Sequence, residues 1–504
     1  MSQPAPVPPH APDQADGLWS PRYRALTIGL VLTITLVASE ALAVSTIMPI
    51  VSEDLAGGDR TLYGWVFSAF ILASLVGIAA AGVMIDRGSL TRPYLLGLGF
   101  FCVGLIVGGL APSMPVLVGG RVLQGLGAGA IPAVAYVAIG RALPERLRAQ
   151  MFATMSTAWV LPGLLGPFIA GLVAEVFHWR LVFLGLLPLI AIAAVMAVPA
   201  IRAIPASTAV AREHDVAIDA RRRLPLALIL TLGAGLTIAG LTDASLWPGI
   251  PLIVVGLAIG IPAFARLTPP GTLRAARGLP AAVLLRGILT FAFFCADAYV
   301  ALAFQEWRGT TAIVAGIALT AATLTWTSGA WIQARLIGRI GPRPLVRTGF
   351  LVVGLGILSF SLVLSPQVPV WVGIVTWAVA GLGMGFSYSP LSLTVLREAS
   401  PETQGASTAG LQLSDVLGTA FGTGVGGALI AAGARSGAEE WVGLAATFAV
   451  GVVAAGIGLS LAGRLPRGGH ATAPAQARPV EAPELAGEPG IAGVGPVSRG
   501  EPTR

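Results

Sequence analysis

Fourteen apolar runs, each about as long as a bilayer is thick, divide this 504-residue chain. A helix rises 1.5 Å per residue, so roughly 20 apolar residues cross the hydrocarbon core. The runs lie at about 25–50, 62–83, 93–111, 115–140, 151–175, 181–201, 224–242, 248–266, 280–303, 311–334, 345–364, 368–394, 404–432 and 440–463. Backbone polar groups in lipid must be satisfied within the segment, which continuous runs of this length achieve as helices. The expected fold is therefore an all-α polytopic membrane protein. With 55% apolar and 11% charged residues, a soluble globule of this length could not cover its surface.

Charge placement gives the orientation. All 31 basic residues are arginine, and they alternate between loops as the positive-inside rule requires. With the N-terminus inside, only Arg60, Arg180, Arg308 and Arg435 fall in outer loops. The even helix count then places both termini inside, in a bacterial cytoplasmic membrane. Trp65, Trp179, Trp247, Trp307, Trp371 and Trp441 fall at outer helix ends, as an aromatic belt. The pI near 10.2 follows from these loop arginines and calls for no nucleic-acid partner. The two cysteines, Cys102 and Cys295, lie in apolar runs and form neither a disulfide framework nor a metal site.

The chain repeats internally. Gly125-Leu126-Gly127-Ala128-Gly129 returns as Gly381-Leu382-Gly383-Met384-Gly385, and 381 − 125 = 256. Arg141 returns as Arg397, also at 256, and Gly166 as Gly422. The expected organisation has six parts: a disordered cytoplasmic tail 1–22, a six-helix bundle 23–203, a cytoplasmic linker 204–223, two inserted helices 224–267, a second six-helix bundle 268–464, and a disordered tail 465–504. Two pseudo-symmetric halves in parallel orientation suit a transporter that binds its cargo between them near the midplane.

Glu40, Arg121, Asp297 and Asp415 lie inside apolar runs. Glu40 lies about 13 Å from Pro49 along its helix, and Arg121 roughly 9 Å from its helix end, so the two are at compatible depths. Asp297 is the repeat partner of Glu40, since 297 − 40 = 257, and Asp415 lies near mid-bilayer on the thirteenth helix. Charges at such depths are costly and mark pathways or coupling sites. The bland alternatives are a static ion pair for Glu40–Arg121 and a helix-to-helix hydrogen bond for Asp415. Where Arg121 stands in the first half, Trp377 stands in the second.

Three motifs complete the reading. The loop after the second helix carries Gly82, Asp86, Arg87, Gly88 and Arg92, and its second copy carries Arg339, Gly341 and Arg343 without the acid. The fourth helix carries Arg121 with Gln124-Gly125. The fifth carries Pro162-Gly163-x-x-Gly166-Pro167-x-x-Ala170-Gly171. Together they resemble the signatures of the major facilitator superfamily, and within it the fourteen-helix drug:proton antiporter family. The resemblance covers nearly the whole chain apart from the tails. The loop motif departs from the family pattern in its displaced second glycine and single trailing arginine. The fifth-helix motif departs in its late first glycine and in Ala170.

The resemblance implies proton-coupled export of small hydrophobic, and in part cationic, molecules by alternating access. It gives Glu40, Asp297, Arg121 and Asp415 the coupling role and the loop residues a gating role. Pro162, Gly163, Gly166, Pro167 and Gly171 become a bent, closely packed interface helix. Trp159, Tyr299, Trp326, Trp331, Trp377 and Tyr388 are the candidate aromatic lining of the substrate cavity. The expected partners are a hydrophobic substrate, protons and lipid, with the protein as a monomer that needs no cofactor beyond the proton gradient. The rival readings are the same fold with a dedicated cargo (a lipid, a siderophore, an antibiotic) and, further off, a proton symporter. An enzyme would need a constellation such as H-E-x-x-H or G-x-S-x-G, and the sequence holds neither.

Overall fold

The computed structural model describes residues 17–56, 62–205, 213–242, 246–437 and 439–467. Residues 1–16 and 468–504 of the expected disordered tails, and 206–212 of the expected linker, lie outside them. All fourteen runs are helices long and apolar enough to cross a membrane. The first six are α1 (Arg24–Leu55), α2 (Tyr63–Asp86), α3 (Thr91–Gly109), α4 (Met114–Ala142), α5 (Glu145–Val176) and α6 (Arg180–Arg202). The inserted pair is α7 (Arg222–Thr242) and α8 (Gly249–Leu267). The last six are α9 (Leu279–Trp307), α10 (Ala312–Ile340), α11 (Pro342–Leu364), α12 (Val370–Glu398), α13 (Gln404–Arg435) and α14 (Trp441–Arg464).

The internal repeat is a packing repeat. In the first half α4 packs against α2 and α3; in the second, α12 packs against α10 and α11. The glycine motif makes both contacts possible. A Cβ on Gly125 or Gly129 would overlap the carbonyl oxygens of Phe70 and Ser74 on α2. One on Gly381 or Gly385 would overlap those of Ala322 and Trp326 on α10. Gly127 and Gly383 likewise meet the carbonyls of Gly97 and Gly349 on α3 and α11. Lipid supplies no hydrophobic drive between helices, so this backbone approach is what holds them.

The inserted helices lie across the seam between the halves. Leu75, Ile78 and Ala79 of α2 form one apolar cluster with Ala227, Leu230 and Ala234 of α7 and Ala409, Leu413 and Leu417 of α13. Thus α7 touches one helix from each half.

Helix boundaries differ from the apolar runs where polar turns continue a helix beyond the membrane. The helix of α5 starts at Glu145, just after Pro144, rather than near 151. That of α7 starts at Glu213, so 213–223 of the expected linker is helical. Residues 17–22 of the expected tail pack on the bundle, with Leu18 only 1% exposed. Two helices are broken. The α-helix of α5 is interrupted at Ala158–Trp159, four and three residues before Pro162. In α9 it stops at Asp297 and ends in a π-turn over Ala303–Trp307. Trp179 is buried, not interfacial: its indole N–H donates to Asp54 Oδ2 at 2.8 Å.

Candidate functional site

Glu40 and Arg121 meet. They form an ion pair deep inside the first half, with side chains 1% and 3% exposed. Arg121 is held from every side. Its Nε donates to Val66 O at 3.0 Å, its Nη1 to Gln124 Oε1 at 2.7 Å, and its guanidinium lies 4.2 Å from the Phe70 ring centroid. The pair thus ties α1, α2 and α4 together. Glu40 Oε2 and Gln124 Nε2 are buried without a protein hydrogen-bond partner.

The second half keeps the place and changes the chemistry. Asp297 ends the regular helix of α9 beside Trp377, the repeat counterpart of Arg121. Trp377 is fully buried, stacked on Phe293 with ring centroids 5.1 Å apart and tilted against Phe360 at 5.2 Å. It is a core residue, and the expectation that it lines a cavity is corrected. Tyr299 is likewise turned into its own half, its hydroxyl donating to Thr423 O at 2.6 Å.

The cluster around Asp415 joins both halves. Asp415 Oδ2 accepts the Tyr388 hydroxyl at 2.8 Å, and Oδ1 lies 3.6 Å from Arg286 Nε. Arg286 is fully buried. Its Nη1 donates to Tyr388 O at 2.9 Å, its Nη2 donates to Ser392 Oγ, and its guanidinium lies over the Tyr388 ring. From the first half, Tyr136 of α4 lies near Tyr388 and Ser392. The Asp415 side chain is 17% exposed, against 1% for Glu40. Trp326 packs on Tyr388 at 5.4 Å and on Phe293 at 5.7 Å, which places an aromatic wall beside this carboxylate.

Sequence reasoning passed over Arg286, Tyr136 and Ser392. Arg286 obeys the same rule that singled out Glu40. It stands inside an apolar run, seven residues and about 10 Å from the start of α9. Tyr136 and Ser392 carry no such signal, because uncharged polar residues are common in membrane helices.

The loop motif is a clasp between the halves. Asp86 accepts the backbone N–H groups of Gly405 at 2.7 Å and Ala406 at 2.9 Å, capping the N-terminus of α13. A carboxylate there meets unpaired donors and the positive end of the helix dipole. Gly82 lets α13 come close: a Cβ would lie 2.7 Å from the Ala409 Cβ. Arg141 donates to Gln404 Oε1 at 3.2 Å and to Gly88 O at 2.8 Å. Its repeat counterpart Arg397 pairs with Glu145 at 2.6 Å, so both arginines reach across. Arg87 and Arg92 are exposed and stand outside the clasp, as does Arg339 of the second copy. Gly341 turns the chain between α10 and α11 at φ 76°, and Arg343 approaches Gly463 within the second half.

Midway along the seam, Trp331 Nε1 donates to Thr157 Oγ1 at 3.3 Å and Thr327 donates to Ser156 O at 3.4 Å. Beyond that level α5 loosens. Trp159, Leu164 and Phe168 are exposed. A Cβ on Gly163, Gly166 or Gly171 would meet nothing nearer than 3.8 Å, and Pro162 is buried beside them. The expected tight packing of the fifth-helix motif is therefore absent in this conformation. The tight small-residue crossing lies instead where α13 meets α9, as Gly418 abuts Gly287 O and Gly422 abuts Phe291 O.

Comparison with known proteins fits this arrangement. The family model described as Major Facilitator Superfamily matches residues 30–216. A protein of Mycobacterium tuberculosis named as a probable multidrug-efflux transporter is 28% identical over 429 residues, 81% of this chain and 88% of that one. Over those residues and along these relatives the chain is similar to the major facilitator superfamily. Multidrug transporter protein MdtP of Bacillus subtilis is 26% identical, over 84% of this chain and 77% of its own. Methylenomycin A resistance protein of the same species is 25% identical, over 73% and 79%. Two solved facilitator structures share the fold. The human organic anion transporter MFSD10 has a TM-score of 0.64 at 16% identity, over 88% of this chain and 99% of that one. The proton:xylose symporter XylE gives 0.60 at 13%, over 86% and 94%.

Proposed function

We propose that the protein exports small, mostly hydrophobic molecules from a bacterial cytoplasm in exchange for protons, by rocking its two halves about the seam. Asp415 carries the reading. It is a carboxylate near mid-membrane, partly accessible, at the seam between the halves, beside an aromatic wall and a buried arginine. A group so placed can hold either a proton or a cationic substrate, but not both, and that exclusion is what antiport requires. Glu40, sealed by Arg121 within one half, is the second acid we assign to coupling. Asp297, beside Trp377, is the third.

The excess of arginine in the loops at the Asp86 end supports assigning that end to the cytoplasm. The conformation is then closed inward by the Asp86 clasp and loose outward along α5. The names of the mycobacterial and Bacillus relatives support efflux of drugs, and the methylenomycin A relative supports the narrower reading of one dedicated antibiotic. The proton gradient and membrane potential supply about 2.3 kcal/mol per charge per 100 mV.

The test is ethidium uptake into everted membrane vesicles under an imposed pH gradient. Uptake that collapses in Asp415→Asn supports the reading. Uptake by the parent that ignores the gradient overturns proton coupling. No ethidium movement by inserted protein points to the dedicated cargo.

A further inference from the structure

We propose that one buried polar face of α13, formed by Gln404, Thr408, Gln412 and Asp415, is the route by which protons pass between Asp415 and the Asp86 end. This inference rests on the proton-coupled reading and names the path that the reading leaves open. The four residues fall at spacings of four, four and three, so they lie within about 80° of one another around the helix. All four are buried or nearly so: Gln404 9%, Thr408 1% and Gln412 6% exposed, with the Asp415 side chain at 17%.

The other faces of α13 are committed elsewhere. Ala409 faces Gly82 of α2, Gly410 faces Thr268 and Pro269, Leu413 and Leu417 join the α7 cluster, and Gly418 crosses Gly287 of α9. What remains is the face toward α4 and α12, along the seam. The titratable and charged groups on it are Arg286, Tyr388 and Tyr136 around Asp415, with Arg141 and Asp86 at the far end.

The second observation is that Thr408 Oγ1 and Gln412 Oε1 are buried without protein hydrogen-bond partners, while Asp415 Oδ1 has only the Arg286 guanidinium, 3.6 Å away. Buried polar atoms are nearly always paired, and two unpaired ones on one face of one helix, beside a carboxylate oxygen held only at ion-pair distance, point to a common partner. Side chains three or four apart on a helix are neighbours, but none of these four bonds to the next in the structure, and one water between neighbours would supply the two bonds that join them. A file of waters there would link Asp415 to Gln404, whose Oε1 accepts from Arg141 at the clasp. When the clasp opens, α4 leaves the stripe and the file meets the cytoplasm.

The test compares gradient-driven ethidium transport with ethidium counterflow in proteoliposomes, for the parent, Thr408→Val, Gln412→Leu and the double variant. Counterflow exchanges substrate for substrate and needs no net proton release. Loss of a hydrogen-bonded link of ordinary strength corresponds to about tenfold in rate. The double variant is therefore expected to slow gradient-driven transport about tenfold or more and to leave counterflow within about twofold. Ser414→Ala, on the α9 face of the same helix, is expected to change neither. Gradient-driven transport unchanged in the double variant overturns the path and leaves proton antiport standing. Equal loss of both activities overturns it as well, since the side chains would then merely pack the seam. A parent that moves ethidium without regard to the gradient sinks the path together with the antiport reading.

Discussion

Asp86→Asn shifts the balance between the two access states by an amount that can be worked from the clasp. The carboxylate accepts two backbone N–H groups, at 2.7 and 2.9 Å, and faces the N-terminus of a 32-residue helix. Both contacts join the halves, so they exist only while the Asp86 end is closed. Asparagine keeps one neutral acceptor oxygen, losing one hydrogen bond and the charge–dipole attraction. Hydrogen bonds to charged groups contribute about 1.5–3 kcal/mol and helix-end charges up to about 2 kcal/mol. A net loss of about 2 kcal/mol is a conservative figure, and it multiplies the open-to-closed ratio about 30-fold. An Asp86-end-open state populated at about 1% would rise to about a quarter. Spin labels at Arg92→Cys and Arg339→Cys, exposed residues at that end on opposite halves, read this as a distance distribution. Cys102 and Cys295 are replaced beforehand. A new long-distance population is expected in Asp86→Asn. Superimposable distributions, from folded protein in the same bilayer, would refute the clasp as the element that holds this end shut.

Other outcomes follow from the same geometry. Arg397→Ala breaks a pair whose side chains are 37% and 57% exposed, so it should shift the same distributions little, the contribution being at most about 1 kcal/mol; a shift equal to that of Asp86→Asn would contradict this. Gly418→Ala forces a methyl into Gly287 O and should cost about 1–3 kcal/mol, read as a lower melting temperature in detergent. Gly163→Ala, with its nearest neighbour at 3.8 Å, should melt within a degree or two of the parent. Arg121→Ala strands Glu40 as an unpaired buried charge, a loss of about 3–5 kcal/mol, and adding Glu40→Gln should restore much of the folded yield. No restoration would mean that Arg121 acts chiefly through Val66 and Phe70.

Much of this was legible because lipid leaves a sequence few options. A run of twenty apolar residues reads as a helix, and a glycine triplet at one offset reads as one packing mode used twice. Glu40 and Arg121 were findable as a pair because charges in hydrocarbon are scarce and must meet. Arg286 obeys the same rule but sits near a helix start, where arginine is ordinary at a membrane boundary. Polar residues such as Tyr136, Thr408 and Gln412 gain meaning only once the seam between halves is known. The fifth-helix motif misled for another reason. Its glycines permit close approach without enforcing it, and in this conformation a Cβ on Gly163, Gly166 or Gly171 would sit at ordinary contact distance from Thr323, Leu42 and Thr46. Trp377 misled because an aromatic residue at mid-helix fits a cavity wall and a packed core equally well.

The account's central claim is that proton and substrate exclude one another at Asp415. Proton release on adding ethidium to the purified protein, in weakly buffered detergent solution with a pH indicator, addresses it without any membrane or gradient. The account predicts a release that saturates with ethidium in the parent and in Gln412→Leu, and that is lost in Asp415→Asn while ethidium still binds. Release of equal size from Asp415→Asn would contradict it and move the exchange to Glu40 or Asp297.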